Sequence, residues 1–339
     1  MGDMLRPVSR SDRFGMAEID QLLRREGIRQ DANLDYTCGV YDEDENLVAT
    51  GSCFGNTLRC LAVSGQRRGQ GLLVQVVSHL LDVQARRGNL HVFVYTKPEN
   101  GDFFTGLGFH EIARTAQAVF LENRRSGFAD YCDSLMRLPG QRIAAVVMNA
   151  NPFTLGHRYL VERASRENDG VHLFILSEEH GPIPAAVRRR LVEEGVRDLE
   201  SVVIHGTGPY LISSATFPSY FLRDGDDAIR AQAALDGAVF GKIAAHLGIQ
   251  RRYLGEEKRS HVTSIYNEVL AGQLDCCVIP RLEIAGEAVS ASTVRRAIHD
   301  GRLDQVRDML PESTFRYFAS AESEAVRAAI RREENVVHY

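Results

Sequence analysis

The stretch that most constrains this chain is Met148 to His157, M-N-A-N-P-F-T-L-G-H, which follows the apolar run Ile143 to Val147. A β-branched and alanine-rich run that breaks at Asn151-Pro152 and resumes at helical spacing from Gly156 predicts a strand, a tight turn and a helix start. The first turn of a helix leaves backbone N–H groups without partners and carries the positive end of the helix dipole. An anion placed there gains hydrogen bonds and field together. Thr154 and His157 supply side-chain donors at the same spot, and Gly156 lets a ligand approach the backbone closely. Asn149, Asn151 and Phe153, from the same turn, complete the expected ligand-binding set. The plainer alternative is an ordinary turn followed by an ordinary first-turn histidine. The order of strand, turn, small residue and histidine favours an anion site.

With 339 residues the chain is longer than one typical domain, and two are expected. The breaker sequence Leu138-Pro139-Gly140 marks the boundary, giving domains over 1–138 and 139–339. In the first, a helix from Arg10 to Gly27 precedes short β-rich segments at Tyr36 to Tyr41, Leu47 to Phe54 and Thr57 to Val63, which read as an antiparallel meander. The glycine-containing segment Gln66 to Gly71 leads into an apolar helix, Leu72 to Arg87, and Leu90 to Thr96 is a strand; an apparent last strand precedes the boundary. In the second domain strands and helices alternate from Ile143 to Ile279, and Leu303 to Arg332 forms terminal helices around Pro311. The fold class is α/β: an α+β domain followed by a Rossmann-like parallel-sheet domain, whose ligands bind at the carboxyl ends of its strands.

Composition excludes more than it identifies. The net charge of −5 gives no reason to expect nucleic acid as a partner. The first residues lack the apolar segment of a secretory signal and no run is long enough to cross a bilayer, so a soluble, cytoplasmic protein without membrane contacts is expected. The six cysteines, Cys38, Cys53, Cys60, Cys132, Cys276 and Cys277, show no zinc spacing and fit a reducing compartment. No protein-held metal site is expected.

Three resemblances sharpen this reading. The T-x-G-H element resembles the signature of the HxGH nucleotidyltransferases, and Val289-Ser290-Ala291-Ser292-Thr293-Val294-Arg295 resembles their I-S-S-T-x-x-R motif, with Ala291 replacing one serine. The segment Gln66, Gly69, Gly71 and the later Phe104-Thr105-Gly106-Leu107-Gly108-Phe109 resemble the acyl-CoA pyrophosphate loop and late aromatic segment of GNAT acetyltransferases. Phe104 stands where many of those enzymes carry a tyrosine acid, and Lys97 and Asn100 replace the usual Asn and Ala, so acetyl transfer to an amine is not expected. A holder for a CoA-like arm, or a purely structural remnant, are the two readings of this domain. The whole string from Asn149 to Leu160, the segment Gly206 to Phe221, the Gly255-Glu256-Glu257 turn and the V-S-A-S-T-V-R end together resemble the citrate lyase ligase family.

That resemblance implies ATP with Mg²⁺, acetate as nucleophile, an acetyl-adenylate, and transfer to the CoA-like prosthetic group on the acyl carrier subunit of citrate lyase. It assigns catalysis to His157, Thr154 and Arg295, with His157 on the α-phosphate and Thr154 on the nucleotide phosphates. Ser290, Ser292 and Arg295 take the β- and γ-phosphates, and Gln66, Gly69 and Gly71 the CoA-like group. Tyr210, Ser213 and Ser214 are candidates for an acetate pocket, and Glu256 and Glu257 read equally as a metal or ribose contact or as a plain surface turn. Arg188, Arg189 and Arg190 are expected on a solvated helix face, and His172, His205 and His261 as strand or turn residues. Two alternatives stay open: an adenylyltransferase for a phosphopantetheine- or nicotinamide-type phosphate, and a catalytically silent CoA-sensing protein.

Overall fold

A computed structural model of the protein describes residues 3–179, 181–211, 213, 216–222, 225–256 and 261–333. By internal contacts the chain forms two compact units, Met1–Ala129 with Pro218–Ala238, and Asp130–Phe217 with Val239–Tyr339. Ser214 and Glu257, both singled out above, lie outside the described residues.

In the first unit, strand β1 (Met4–Pro7) and helix α1 (Arg13–Arg25) precede a meander of β2 (Tyr36–Tyr41), β3 (Leu47–Phe54) and β4 (Thr57–Val63). Asp12 caps α1 by accepting from the Gly15 N–H at 3.0 Å, and Ile19, Leu22 and Leu23 form its buried stripe. Helix α2 (Leu72–Arg86), β5 (Phe93–Thr96), α3 (Gly101–Gly106), β6 (His110–Arg114) and β7 (Val119–Glu122) follow. The sheet order is β1-β2-β3-β4-β5-β7-β6. Every neighbouring pair is antiparallel except β4 and β5. These two run parallel and are in register only at Thr57 with Phe93 and Leu58 with Val94. Beyond those residues the strands part, and the facing edges of Leu61–Val63 and Tyr95–Thr96 border an opening in the sheet.

Helix α4 (Gly127–Ser134) leads out of this region; the segment ahead of Leu138 is thus helical, where the sequence reading had a last strand. The meander has the expected bounds. Strand β1 was not anticipated, because a four-residue edge strand ending in proline carries almost no periodic signal.

The second unit alternates β8 (Ile143–Met148), α5 (Leu155–Glu167), β9 (Gly170–Ile175), α6 (Ala185–Gly195) and β10 (Val202–Gly206). It continues through α7 (Asp226–Leu247), whose residues up to Ala238 group with the first unit, to β11 (Arg251–Gly255), α8 (His261–Ala271) and β12 (Cys276–Ile279). A hairpin of β13 (Glu283–Ile284) and β14 (Glu287–Ala288) precedes α9 (Ala291–His299), α10 (Glu312–Ala319) and α11 (Glu324–Arg331). The five main strands are all parallel, in the order β10-β9-β8-β11-β12. Strand β9, buried at every residue, shows the continuous apolar run of a strand covered on both faces. The order grows outward from β8 to β10 and then reverses, returning to β11 beside β8. A reversal of this kind leaves a crevice at the carboxyl ends of the two central strands.

All six cysteines are free. Burial pushes the thiols of Cys38 and Cys60 up to about 12 and those of Cys53 and Cys132 up to about 11. Among the described residues, no helix is long and apolar enough to cross a membrane.

One polar pair interrupts the parallel-sheet core. His172 of β9 and His205 of β10 are buried, with Nδ1 of the former 2.9 Å from Nε2 of the latter. Burial, with the neighbouring His205 in one case and Arg189 in the other, depresses both to about 4. Above the ordinary value of 6.5 both rings are neutral folded or unfolded; below it the unfolded chain takes up protons that the folded one refuses. Stability should therefore hold above about pH 6.5 and fall as the pH drops towards 4. Denaturant melts of His205→Phe are expected to show a shallower loss over this window than the native chain, and equal slopes would exclude the pair as the cause.

Candidate active site

The crevice between β8 and β11 opens into a cavity of about 230 Å³. Its walls come from the turn after β8 (Asn149, Ala150, Asn151), the start of α5 (Thr154, Gly156, His157), the end of β11 (Gly255, Glu256), the end of β12 (Pro280, Arg281) and the start of α9 (Ser290, Ser292, Arg295). The structure thus brings both helix starts singled out in the sequence into one cavity. Tyr210 and Ser213 are not among its lining residues. Tyr210 is buried against Tyr131, and the Ser213 N–H is directed to Glu178.

Thr154 is the N-cap of α5 and forms a capping box with His157. The Thr154 backbone N–H donates to His157 Nδ1 at 3.1 Å, and Thr154 Oγ1 lies 2.9 Å from the same nitrogen. A backbone N–H can only donate, so Nδ1 carries no hydrogen and Nε2 does. The hydroxyl in turn can only donate to Nδ1. The imidazole is therefore a neutral donor held by its far side. Burial, then Arg281 and Arg295, depress its pKa to about 4. Thr154, only 1% exposed, holds the imidazole through its backbone N–H, with its hydroxyl beside the same nitrogen.

Phe153 departs from expectation. It was read as a ligand-binding residue, yet its side chain is fully buried in the core of the second unit, stacked on His157 with ring centroids 5.9 Å apart. Its contribution is to back the histidine. A Cβ at Gly195 would lie 2.5 Å from the Phe153 ring, so that glycine makes room for it.

At the second helix start, Ser290 caps α9 by accepting from the Thr293 N–H, and its hydroxyl lies 2.7 Å from that of Ser292. Arg295, 2% exposed, donates from Nη1 to the Asn151 carbonyl, tying this helix to the turn after β8. The Asn151 side chain is 3% exposed and neither of its amide atoms has a partner in the described structure. Such a group is costly to bury unless a ligand completes it.

Sequence reasoning missed Arg281 and misplaced Arg188. Arg281 lies two residues beyond the end of β12, and its field on His157 exceeds that of Arg295. The rule that parallel sheets bind at strand carboxyl ends would have found it. Arg188, expected on a solvated face, is 0% exposed and donates to Asn149; Arg189 is exposed and Arg190 half-buried, paired with Glu193 and Glu322. Among the described residues no group of three or more His, Cys, Asp and Glu side chains is placed to hold a metal ion.

The first unit has its own cavity, of about 750 Å³, at the parting of β4 and β5. Leu61 to Val63 and Tyr95 to Thr96 form its strand walls, with Lys97 just beyond, and Gly69 and Gly71 its loop. Gln66, also assigned to this loop, is exposed and not among the lining residues. Gly69 and Gly71 both have φ of 78°, a conformation that strains any residue with a Cβ. Phe104, 3% exposed, lines the cavity and offers no ionisable hydrogen there.

Residues 143–318 match the family model of the citrate lyase ligase C-terminal domain. The chain is 34% identical over 88% of its length to the [citrate [pro-3S]-lyase] ligase of Haemophilus influenzae, of which it covers 93%. It is 34% identical to the Klebsiella pneumoniae protein of that name over 90% of this chain and 93% of that one. With the Escherichia coli protein identity is 32% over 93% of each. The chain belongs to the citrate lyase ligase family. The matched citrate lyase ligase domain contains every residue of the cavity between β8 and β11, with both helix starts inside it.

The tautomer carries a test. The imidazole of His157 should show no titration near pH 6.5 and an Nε2–H form by ¹⁵N shifts down to pH 5, since its pKa lies at about 4. A midpoint near 6.5 would contradict a ring held neutral in this cavity.

Proposed function

We propose that the chain activates citrate lyase by acetylating a thiol of its CoA-like prosthetic group, through an acetyl-adenylate made from ATP and acetate. The observation that carries this reading is the convergence of the His157 Nε2–H with Ser290, Ser292, Arg281 and Arg295 in one cavity at the strand-order reversal of a citrate lyase ligase family member.

A carboxylate oxygen of acetate attacks the α-phosphorus, the bond to pyrophosphate breaks, and negative charge builds on the equatorial and departing oxygens. Charge of this kind is stabilised by donors fixed before reaction, and the neutral, capped His157 is such a donor. Arg281 and Arg295 add positive field beside it, and the hydroxyls of Ser290 and Ser292 offer hydrogen bonds to the outer phosphates. Mg²⁺, when bound, would neutralise phosphate charge; Glu256 is the carboxylate of the cavity lining, and the phosphates themselves supply the other oxygens. In the second step the thiolate attacks the acetyl carbonyl and AMP leaves. The cavity of the first unit suits the CoA-like arm of the acceptor: strand edges without a ladder partner in the opening for its amides, and a glycine loop with Arg67, Arg68 and Lys97 in the lining for its phosphates. With Phe104 in place of an acid, this unit holds the arm and leaves the acyl chemistry to the adenylate.

Acetate-dependent exchange between ATP and pyrophosphate, without a phosphorylated acceptor, tests the first step. An absolute requirement for a phosphorylated acceptor would favour an adenylyltransferase, and no nucleotide turnover a silent CoA-binding protein. His157→Gln should lower the exchange rate by about 10²–10³, and full activity would remove His157 from the chemistry. Gly71→Val is expected to slow transfer to the deacetylated carrier while leaving exchange near native; equal loss of both would contradict the division of labour.

A further inference from the structure

Arg188 is a fully buried cation that the chemistry above does not use. It lies on the buried stripe of α6 with Leu191, Val192 and Gly195. Its hydrogen bonds go to oxygens of the loops around the cavity. Nη1 donates to the Asn149 carbonyl at 2.8 Å and to Asn149 Oδ1 at 2.6 Å, Nη2 to the Glu178 carbonyl at 2.6 Å, and Nε to the Ile183 carbonyl at 3.2 Å. The Glu178 carboxylate then accepts from the Ser213 N–H and the Thr216 hydroxyl, fastening the segment after β10.

A guanidinium has donors and no acceptor, so the end of the Asn149 amide that faces it must be oxygen. The other end is therefore NH₂. Asn149 lines the cavity, and its Nδ2 makes no hydrogen bond within the described structure. Without Arg188 the amide could present either end; with it, only hydrogens are available to a ligand. A lysine could not reproduce this, because a single ammonium cannot serve four oxygens set around a planar fork.

We infer that Arg188 is a positioning residue that turns Asn149 into a fixed donor for an oxyanion of the substrates. The inference rests on the adenylation reading and deepens it. The oxyanion is either a phosphate of the nucleotide or the carboxylate of the acid, which share the same acceptor chemistry.

The experiment compares the full-length native chain with Arg188→Lys and Asn149→Asp in acetate-dependent ATP–pyrophosphate exchange, with KM for ATP and for acetate measured separately and thermal stability alongside. Arg188→Lys releases the amide. Asn149→Asp keeps oxygens facing Arg188, so its thermal stability is expected to stay near native, but it replaces the donor with a carboxylate oxygen. Both variants are expected to raise one KM at least about tenfold with a smaller change in kcat, the pattern of lost binding rather than lost chemistry. A rise for ATP identifies a phosphate as the ligand, and a rise for acetate identifies the carboxylate. Unchanged KM values in Asn149→Asp, or in a folded Arg188→Lys, would overturn the role assigned to Arg188. Absence of exchange in the native chain would overturn the adenylation reading itself and this inference with it.

Discussion

The hydrogen bond from the Thr154 backbone to Nδ1 of His157 is the constraint on which the rest of the site depends. It completes the cap of α5, excludes one tautomer, and directs the remaining ring hydrogen away from the helix start. Phe153 then backs the ring, in space that Gly195 leaves for it. A local folding motif thereby sets the tautomer of His157, and desolvation together with Arg281 and Arg295 keeps the ring neutral over the ordinary pH range. Preorganisation here begins with helix capping and is completed by core packing.

Both cavities arise where parallel strands stop pairing. In the second unit β8 pairs with β11 only as far as Val146 and Tyr253, while on its other side it pairs with β9 through Met148. In the first unit the parallel ladder ends at Leu58 and Val94. An interrupted ladder leaves backbone groups that face a space rather than a neighbour, and such space is useful only if a ligand fills it. The same topological device has been used twice in one chain, once beside helix starts and once beside a glycine loop.

The architecture was largely legible because its strands are short, β-rich and separated by strong turn signals, as at Tyr36–Tyr41 and Arg251–Gly255. Pairing of the two helix starts was legible through motif resemblance, since residues so far apart in sequence share no local pattern. Errors came where a side chain's direction matters more than its type. Phe153 sits in the turn after β8 yet points into the core, and Arg188 sits in a basic run yet falls on the stripe of Leu191 and Val192. Helical spacing back from those two residues already marks position 188 as inward; the charge of its neighbours obscured it. Arg281 carries no motif at all, and only the end of the sheet reveals it.

The state of the cysteines has a consequence for the chemistry. An acyl phosphate anhydride is attacked by any accessible thiolate, so a catalyst that makes one risks modifying itself. Cys38, Cys53, Cys60 and Cys132 are buried, and burial keeps their sulfurs protonated far above neutral pH. On the proposed chemistry these four sulfurs are poor competitors for the activated acetyl group, and selectivity for the carrier's thiol is built partly from the inertness of the host's own.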